Sequence, residues 1–342
     1  MNDYVLSVRR RRRTLLIVEG DDEKNMLFWA LFRAFPEMAI KYDDVWIYGT
    51  NIYMLYKDIV KEYGTEWLKN KDDIDLPFVI SKKITPSNIQ YKEDFSDIFL
   101  VFDYERHDPG FSENRIVDMQ NYFYDSTDMG KLYINYPMLE SYQHFESLPD
   151  LSFENRHVSV LMNKGSNYKN EVHKTSVIGK IVWFPHKTDE ILEYRFHVLD
   201  SEKRRVCINS LLKLDDEHNL PNQLPLILKN VVESKDEATF MCQLIHEIRN
   251  LGFMNNHQSY WEYMRQMFKR IIYYNACKAN KIQNGKYEIS EEEYKNVYTR
   301  LELSKILEIQ NEASRDKLTG IIWVLNTCVF LVADYNFRLL TE

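Results

Sequence analysis

Two short, continuous runs of apolar residues constrain the fold of this chain more than any other feature of its sequence. One occupies 14–18, between arginines and Gly20, and the other reads Asp-Ile-Phe-Leu-Val-Phe at 97–102. Unbroken apolar runs of this length are typical of strands buried on both faces, as in a parallel sheet. Segments with strand and helix signals alternate up to about residue 140. This order predicts βαβ crossovers and an α/β domain over residues 1–145.

The other elements are predicted from periodicity and from residues that break helices. In the first domain we expect further strands at 45–48 and 131–135, helices at 21–35, 51–63 and about 112–124, and an irregular insertion at 64–94 with one short strand at 78–80. Pro77 and Pro86 are the reason for reading 64–94 as irregular.

The rest of the chain is predicted to contain two further regions. Residues 146–221 carry mixed signals and are read as a connecting region. From 222 to 342, apolar residues at spacings of three and four predict a mainly helical domain. Its expected helices are 237–251, 258–281, 290–311 and 315–340.

Composition excludes several classes of protein. The net charge of −8 argues against a surface coated in positive charge for nonspecific nucleic-acid binding, although it does not exclude a nuclease. The four cysteines form no C-x-x-C pair, which argues against a zinc ribbon and fits reduced thiols in a cytoplasm. The apolar stretches at 15–18 and 321–333 are shorter than the roughly 20 residues that span a bilayer. We therefore expect a cytoplasmic protein that does not insert into membranes.

Acidic residues follow both of the strongest strands. Glu19 comes directly after the first, and Asp103 and Glu105 end the third. The carboxyl ends of parallel strands gather ligands, and alternation along an extended chain would put Asp103 and Glu105 on one side. Clustered carboxylates repel one another unless a cation such as Mg²⁺ or Mn²⁺ is bound. The alternative is that these are ordinary polar residues at strand ends, one of them a helix cap.

The motifs around these residues resemble those of the Toprim domain, which occurs in topoisomerases, bacterial primases, small RNA-maturing nucleases and the overcoming-lysogenization-defect nucleases. Leu-Leu-Ile-Val-Glu-Gly at 15–20 is similar to the first motif, and Ile-Phe-Leu-Val-Phe-Asp-Tyr-Glu at 98–105 to the second, with Glu105 where many members have aspartate. The resemblance covers about 12–140. It implies a Toprim-like Rossmannoid sheet in which Glu19, Asp103 and Glu105 hold the metal.

A further segment, Tyr-Pro-Met-Leu-Glu-Ser-Tyr at 136–142, is similar to one in standalone Toprim proteins of phage-defence modules. There an acidic residue can supply another metal ligand, which makes Glu140 a fourth candidate. The same glutamate would equally suit the first turn of a helix.

The resemblance implies a metal-dependent endonuclease similar to the standalone Toprim effectors of PARIS-type defence modules, acting on RNA (tRNA included) or DNA. Such effectors work with an ABC-type ATPase. This chain has no P-loop motif, so that ATPase would be a separate partner. The alternative is a non-catalytic Toprim-like binding or regulatory subunit of an ATPase-containing complex, which the glutamate at 105 and the negative net charge favour.

Basic residues are concentrated in two places. Five lysines between Lys164 and Lys187 share their stretch with His173, His186, Tyr168 and Trp183, which suggests phosphate contacts and base stacking or else a solvated loop. By the resemblance, Lys164 or Lys169 would contact the scissile phosphate, and Lys164 is the catalytic candidate. Arginines 9–13 lead into the first strand at the end opposite Glu19, where they suit long-range attraction or partner docking.

The helices after 222 carry many aromatic and methionine side chains. Tyr260, Met264 and Phe268 on one predicted helix are examples. Such residues are typical of a helical core packed on the first domain, and also of a homodimer or partner interface.

Overall fold

The computed structural model describes residues 13–69, 74–161, 165–229, 231–254 and 257–341. Within them a five-stranded sheet has the order β2-β1-β3-β5-β4, in which β4 is antiparallel to β5 and all other neighbours are parallel. Its strands are β1 (Thr14–Val18), β2 (Val45–Ile47), β3 (Asp97–Asp103), β4 (Tyr124–Asp125) and β5 (Gly130–Asn135). The α/β architecture predicted from the apolar runs is confirmed.

The register of the sheet brings the ends of its central strands together. Val18 of β1 pairs with Val101 of β3, and Asp103 of β3 pairs with Asn135 of β5. Every residue of β1 is buried, which explains why the run has no polar alternation. The residues that follow β1, β3 and β5 therefore share one edge of the sheet.

In the part of the chain that the structure describes, four α-helices accompany this sheet: α1 (Trp29–Ala34), α2 (Ile52–Tyr63), α3 (Leu76–Ile84) and α4 (Glu113–Tyr122). The helix expected at 21–35 contains a π-helical segment, Glu23–Phe28, and continues as α1. The expectation of a strand at 78–80 was wrong, because those residues belong to α3. The side chain of Asp75 caps α3 by accepting from the Phe78 N–H at 2.9 Å, and Pro77 lies in the first turn, where no N–H is needed.

The region after the sheet is more helical than the mixed signals at 146–221 suggested. Its helices are α5 (Gly165–Thr175), α6 (Val177–Glu190), α7 (Ser201–Leu211), α8 (Leu220–Leu228), α9 (Ser234–Leu251), α10 (Tyr260–Asn284), α11 (Glu291–Tyr298), α12 (Leu303–Ala313), α13 (Leu331–Asn336) and α14 (Arg338–Thr341). None of the helices in the described residues is long and apolar enough to cross a membrane.

Two of the long helices expected near the end of the chain are not continuous. The helix predicted at 290–311 is divided into α11 and α12. The helix predicted at 315–340 is contradicted, because it contains a strand, β7 (Ile321–Trp323), before the short helices begin. β7 pairs antiparallel with β6 (His157–Ser159), and this pairing supplies the backbone hydrogen bonds that a helix would otherwise make.

The helical region packs directly on the sheet. The buried Tyr104, just after β3, donates its hydroxyl hydrogen to Asn311 Oδ1 at 2.7 Å, and the hydroxyls of Tyr104 and Ser314 lie 2.9 Å apart. Tyr136 forms an antiparallel bridge with Leu325. Aromatic and methionine side chains of α10, including Tyr260, are buried. Those side chains therefore belong to the core, while a homodimer remains a prediction.

Candidate metal centre

Glu19 and Asp103 meet at the carboxyl end of the sheet. Glu19 follows β1, and its Oε2 accepts a hydrogen bond of 3.1 Å from the backbone N–H of Asp103. The side chain of Asn135, at the end of β5, donates to Asp103 Oδ1 at 3.4 Å. The structure therefore brings together the two carboxylates that the sequence places at the ends of neighbouring strands.

Two buried glutamates complete the cluster from other elements. Glu140 lies in the 3₁₀-helix Leu139–Gln143 and is 5% exposed. One of its oxygens is 2.9 Å from Lys169 Nζ, and its Oε2 has no hydrogen-bond partner among the described residues. Glu23, on the π-helical segment, accepts from the Gly20 N–H at 3.0 Å. The charges of Glu23 and Glu140 both raise the pKa of Asp103, so all three side chains act on one another.

Ionisation of the clustered carboxyl groups is unfavourable, as their raised pKa values indicate. Burial, followed by the charge of Glu105, raises the pKa of Glu19 to about 8, although the N–H of Asp103 opposes the shift. Burial raises the pKa of Glu23 to about 7. Burial and the charge of Glu19 raise the pKa of Asp103 well above its usual range. A bound cation would reverse this effect, because it favours the ionised carboxylates.

Glu105 stands at the margin of this cluster. Its backbone φ is +38°, so the extended conformation has ended and the alternation that would place it beside Asp103 does not hold. Its carboxylate instead accepts from Asn51 Nδ2 at 3.1 Å, and the same nitrogen donates to Asp108 at 2.7 Å. Glu105 is nevertheless close enough for its charge to raise the pKa of Glu19.

Of the two candidate lysines, only Lys169 can be placed, since Lys164 lies outside the described residues. Lys169 on α5 contacts Glu140 at 2.9 Å and Asp22 at 3.1 Å. Burial lowers the pKa of Lys169, but the two carboxylates more than offset it and the net shift is upward. This ammonium group is therefore charged and lies at the rim of the acidic cluster.

The other predicted basic and aromatic residues divide by position. Arg13 lies at the opposite end of β1 from Glu19, in an ion pair of 2.6 Å with Asp44, while arginines 9–12 lie outside the described residues. Tyr168 is buried and hydrogen bonds with His144, so its ring is not accessible for stacking on a nucleic-acid base. Trp183 is 37% exposed and can stack.

The donor set suits a hard cation, but the side chains do not yet form a coordination shell. Carboxylate oxygens are the ligands that Mg²⁺ and Mn²⁺ prefer, and the unpartnered Glu140 oxygen is available to one. Among the described residues, however, no three or more histidine, cysteine, aspartate or glutamate side chains stand in an arrangement that could hold a metal ion. Binding would require the carboxylates to reorient toward a shared position.

Sequence reasoning missed three neighbours of the site: Glu23, Asn135 and Asp22. Asn135 could have been found, because it ends the strand predicted at 131–135 and polar residues at such ends gather at one edge. Glu23 lies four residues after Glu19, at the start of the first helix. The contact of Asp22 with Lys169 joins residues 147 positions apart, so no local sequence pattern predicts it.

Comparison with known proteins identifies no relative: no family model, curated protein or solved structure matches this chain.

Proposed function

We propose that this protein is a Mg²⁺- or Mn²⁺-dependent phosphodiesterase that cleaves nucleic acid, with Glu19, Asp103 and Glu140 as ligands and Glu105 beside them. The observation that carries the proposal is the convergence of carboxylates from β1, β3 and the Leu139–Gln143 turn on one edge of the sheet, where a buried Glu140 oxygen lacks a partner. An unpartnered buried acceptor costs about 1–3 kcal/mol. A cation would remove that cost and the mutual repulsion together.

The chemistry follows from the residues around the cluster. A divalent cation bound there would polarise a phosphodiester and make a nearby water molecule more acidic. Asn135 and the backbone of β3 fix Asp103, and the Asp103 N–H fixes Glu19. Lys169 offers a positive group at the rim that suits the added charge of a phosphate during cleavage.

The Toprim resemblance supports the broader setting of this proposal. It favours an antiviral defence nuclease in the cytoplasm that cuts RNA, tRNA included, or DNA, and that is controlled by a separate ABC-type ATPase. The exposed surface of the helical region would be available for that partner or for a second copy of the chain.

The direct test is cleavage of plasmid, single-stranded DNA and total tRNA, each with Mn²⁺ and with EDTA. We expect Mn²⁺-dependent cleavage of at least one substrate, and its loss in Glu19→Ala. Glu288→Ala is the matched control, since Glu288 is exposed and lies outside the cluster. Circular dichroism shows whether each variant is folded. Full activity in a folded Glu19→Ala variant overturns the assignment.

The rival function is a non-catalytic binding or regulatory subunit. Lys169 favours it, because its ammonium group bridges Glu140 and Asp22 and so neutralises part of the cluster without any metal. Calorimetry with Mg²⁺ and with Mn²⁺ separates the two functions. Binding that weakens in Glu140→Gln supports the enzyme, whereas a folded protein that binds neither ion supports the rival.

A further inference from the structure

A cavity of about 730 Å³ lies where α6, α9 and the end of α5 meet. That volume is typical of a site for a small molecule or a single nucleotide unit. Its apolar side is formed by Trp183, Phe184 and Leu251, and Trp183 is 37% exposed. A large aromatic side chain left partly open to solvent at a cavity is a ready platform for a flat ring.

The charged residues of the cavity are unevenly placed. His173 and Lys180 are exposed, and among the described residues neither makes an ion pair. Lys187 is already neutralised by its ion pair with Glu247. The remaining carboxylate, Glu190, lies ten residues after Lys180 on α6, or about 15 Å along the helix axis. The uncompensated positive charge is that of Lys180, which therefore lies at the end of the cavity nearest α5.

The same end of the cavity is connected to the candidate metal centre by α5. Lys169 contacts Glu140 of the acidic cluster, and His173 lines the cavity. These two residues are four apart on α5, so they share one face about 6 Å apart along the axis. Lys169, which is paired with Glu140 and Asp22, and His173 therefore connect the carboxylates along α5 to the end of the cavity where Lys180 of α6 is unpaired.

We propose that this cavity binds one unpaired base of a single-stranded nucleic acid whose backbone follows α5 to the acidic cluster. The base stacks on Trp183, and the adjoining phosphates contact Lys180 and His173. Stacking on an aromatic ring combined with a basic track is how proteins hold single strands without reading their sequence. A base inside a duplex is already stacked and paired, so single strands and loops are the preferred substrate class. This class rests on the proposed phosphodiesterase function, but the binding itself needs no metal.

Fluorescence anisotropy in EDTA tests the proposal with a labelled single-stranded RNA, the DNA of the same sequence and the matching DNA duplex, each about twelve nucleotides long. We expect both single strands to bind more tightly than the duplex. Trp183→Leu and Lys180→Gln should each weaken single-strand binding by about fivefold or more, while Trp183→Phe keeps most of it. The controls are Tyr194→Leu and Lys203→Gln, which change exposed residues outside the cavity.

The outcomes separate this inference from the proposed function. Equal binding of duplex and single strand, or a folded Trp183→Leu variant that binds like Tyr194→Leu, overturns the base site. If that happens while Mn²⁺-dependent cleavage persists, the phosphodiesterase stands and only the cavity assignment fails. Intact single-strand binding without any cleavage keeps the cavity and removes the enzyme. Tighter binding of the RNA than of the DNA, or the reverse, identifies which kind of single-stranded nucleic acid the cavity prefers.

Discussion

Replacing Glu19 with glutamine should stabilise the metal-free protein at about pH 8 and have little effect at about pH 5. The pKa of Glu19 is raised from 4.5 to about 8, with burial as the main cause. The folded state therefore holds this proton more tightly than the unfolded state, so stability falls as pH rises from the unfolded pKa through the folded one. Glutamine is neutral throughout, and its carbonyl can still accept from the Asp103 N–H.

The size of the effect follows from the shift. Taken alone, the raised pKa of Glu19 corresponds to a loss of about 4–5 kcal/mol in the free energy of unfolding at high pH. Glu19 keeps part of its side chain in water and titrates together with its acidic neighbours, so we expect a measured gain of about 2 kcal/mol.

The assay is urea unfolding of the wild type, Glu19→Gln and the exposed control Glu288→Gln in EDTA at both pH values. The control should match the wild type at each pH. At the higher pH, saturating Mn²⁺ should make the wild type more stable than Glu19→Gln. Only the wild type keeps the full set of carboxylates and gains stability by binding the ion. An equal change in the stability of Glu19→Gln at both pH values, or a lower stability at the higher one, would rule out the raised pKa of Glu19.

Three further predictions concern other contacts. Glu140→Gln should lower Mn²⁺ affinity by about 10–100-fold in calorimetry, and an unchanged affinity would remove Glu140 from the site. Lys278→Met should cost about 3 kcal/mol in urea unfolding, because the buried ammonium group donates to three backbone carbonyls at 2.7–2.9 Å. The exposed control Lys295→Met should cost almost nothing. Tyr104→Phe should cost about 1–2 kcal/mol by removing the hydroxyl that contacts Asn311 and Ser314, whereas Tyr124→Phe, at a tyrosine 67% exposed, should match the wild type.

The sheet could be predicted because its signals are local. β1 and β3 are apolar runs buried on both faces, and each is bounded by residues that end a strand. The meeting of Glu19 and Asp103 then follows from parallel pairing alone. The side chain of Ser290 caps α11 by accepting from the Glu293 N–H, and such a cap is predictable because its residues lie within one helical turn.

The errors have physical causes of their own. Pro77 does not interrupt the segment as expected, because it lies in the first turn of α3, where the hydrogen bond that proline cannot make is absent anyway. The apolar spacing at 315–340 predicts a helix where β7 forms, because the strand partner of β7, β6, lies far away in the sequence. The contact between Lys169 and Glu140 depends on how α5 packs against the Leu139–Gln143 turn. That packing cannot be predicted from the spacing of residues in the sequence. Glu105 departs from alternation because its backbone adopts a left-handed conformation.

The contact of Asn135 with the segment after β7 bears on how the protein is made in the cell. The backbone N–H of Cys328 donates to Asn135 Oδ1, although 193 positions separate the two residues, and Thr327 binds the neighbouring carbonyl of Ile134. A ribosome adding about 5–20 residues per second needs about 10–40 s to cover that interval. The carboxylate-bearing edge of the sheet is thus left without its last supporting segment while most of the helical region is being translated. A nascent chain would therefore lack this support for the carboxylate-bearing edge until synthesis has passed β7.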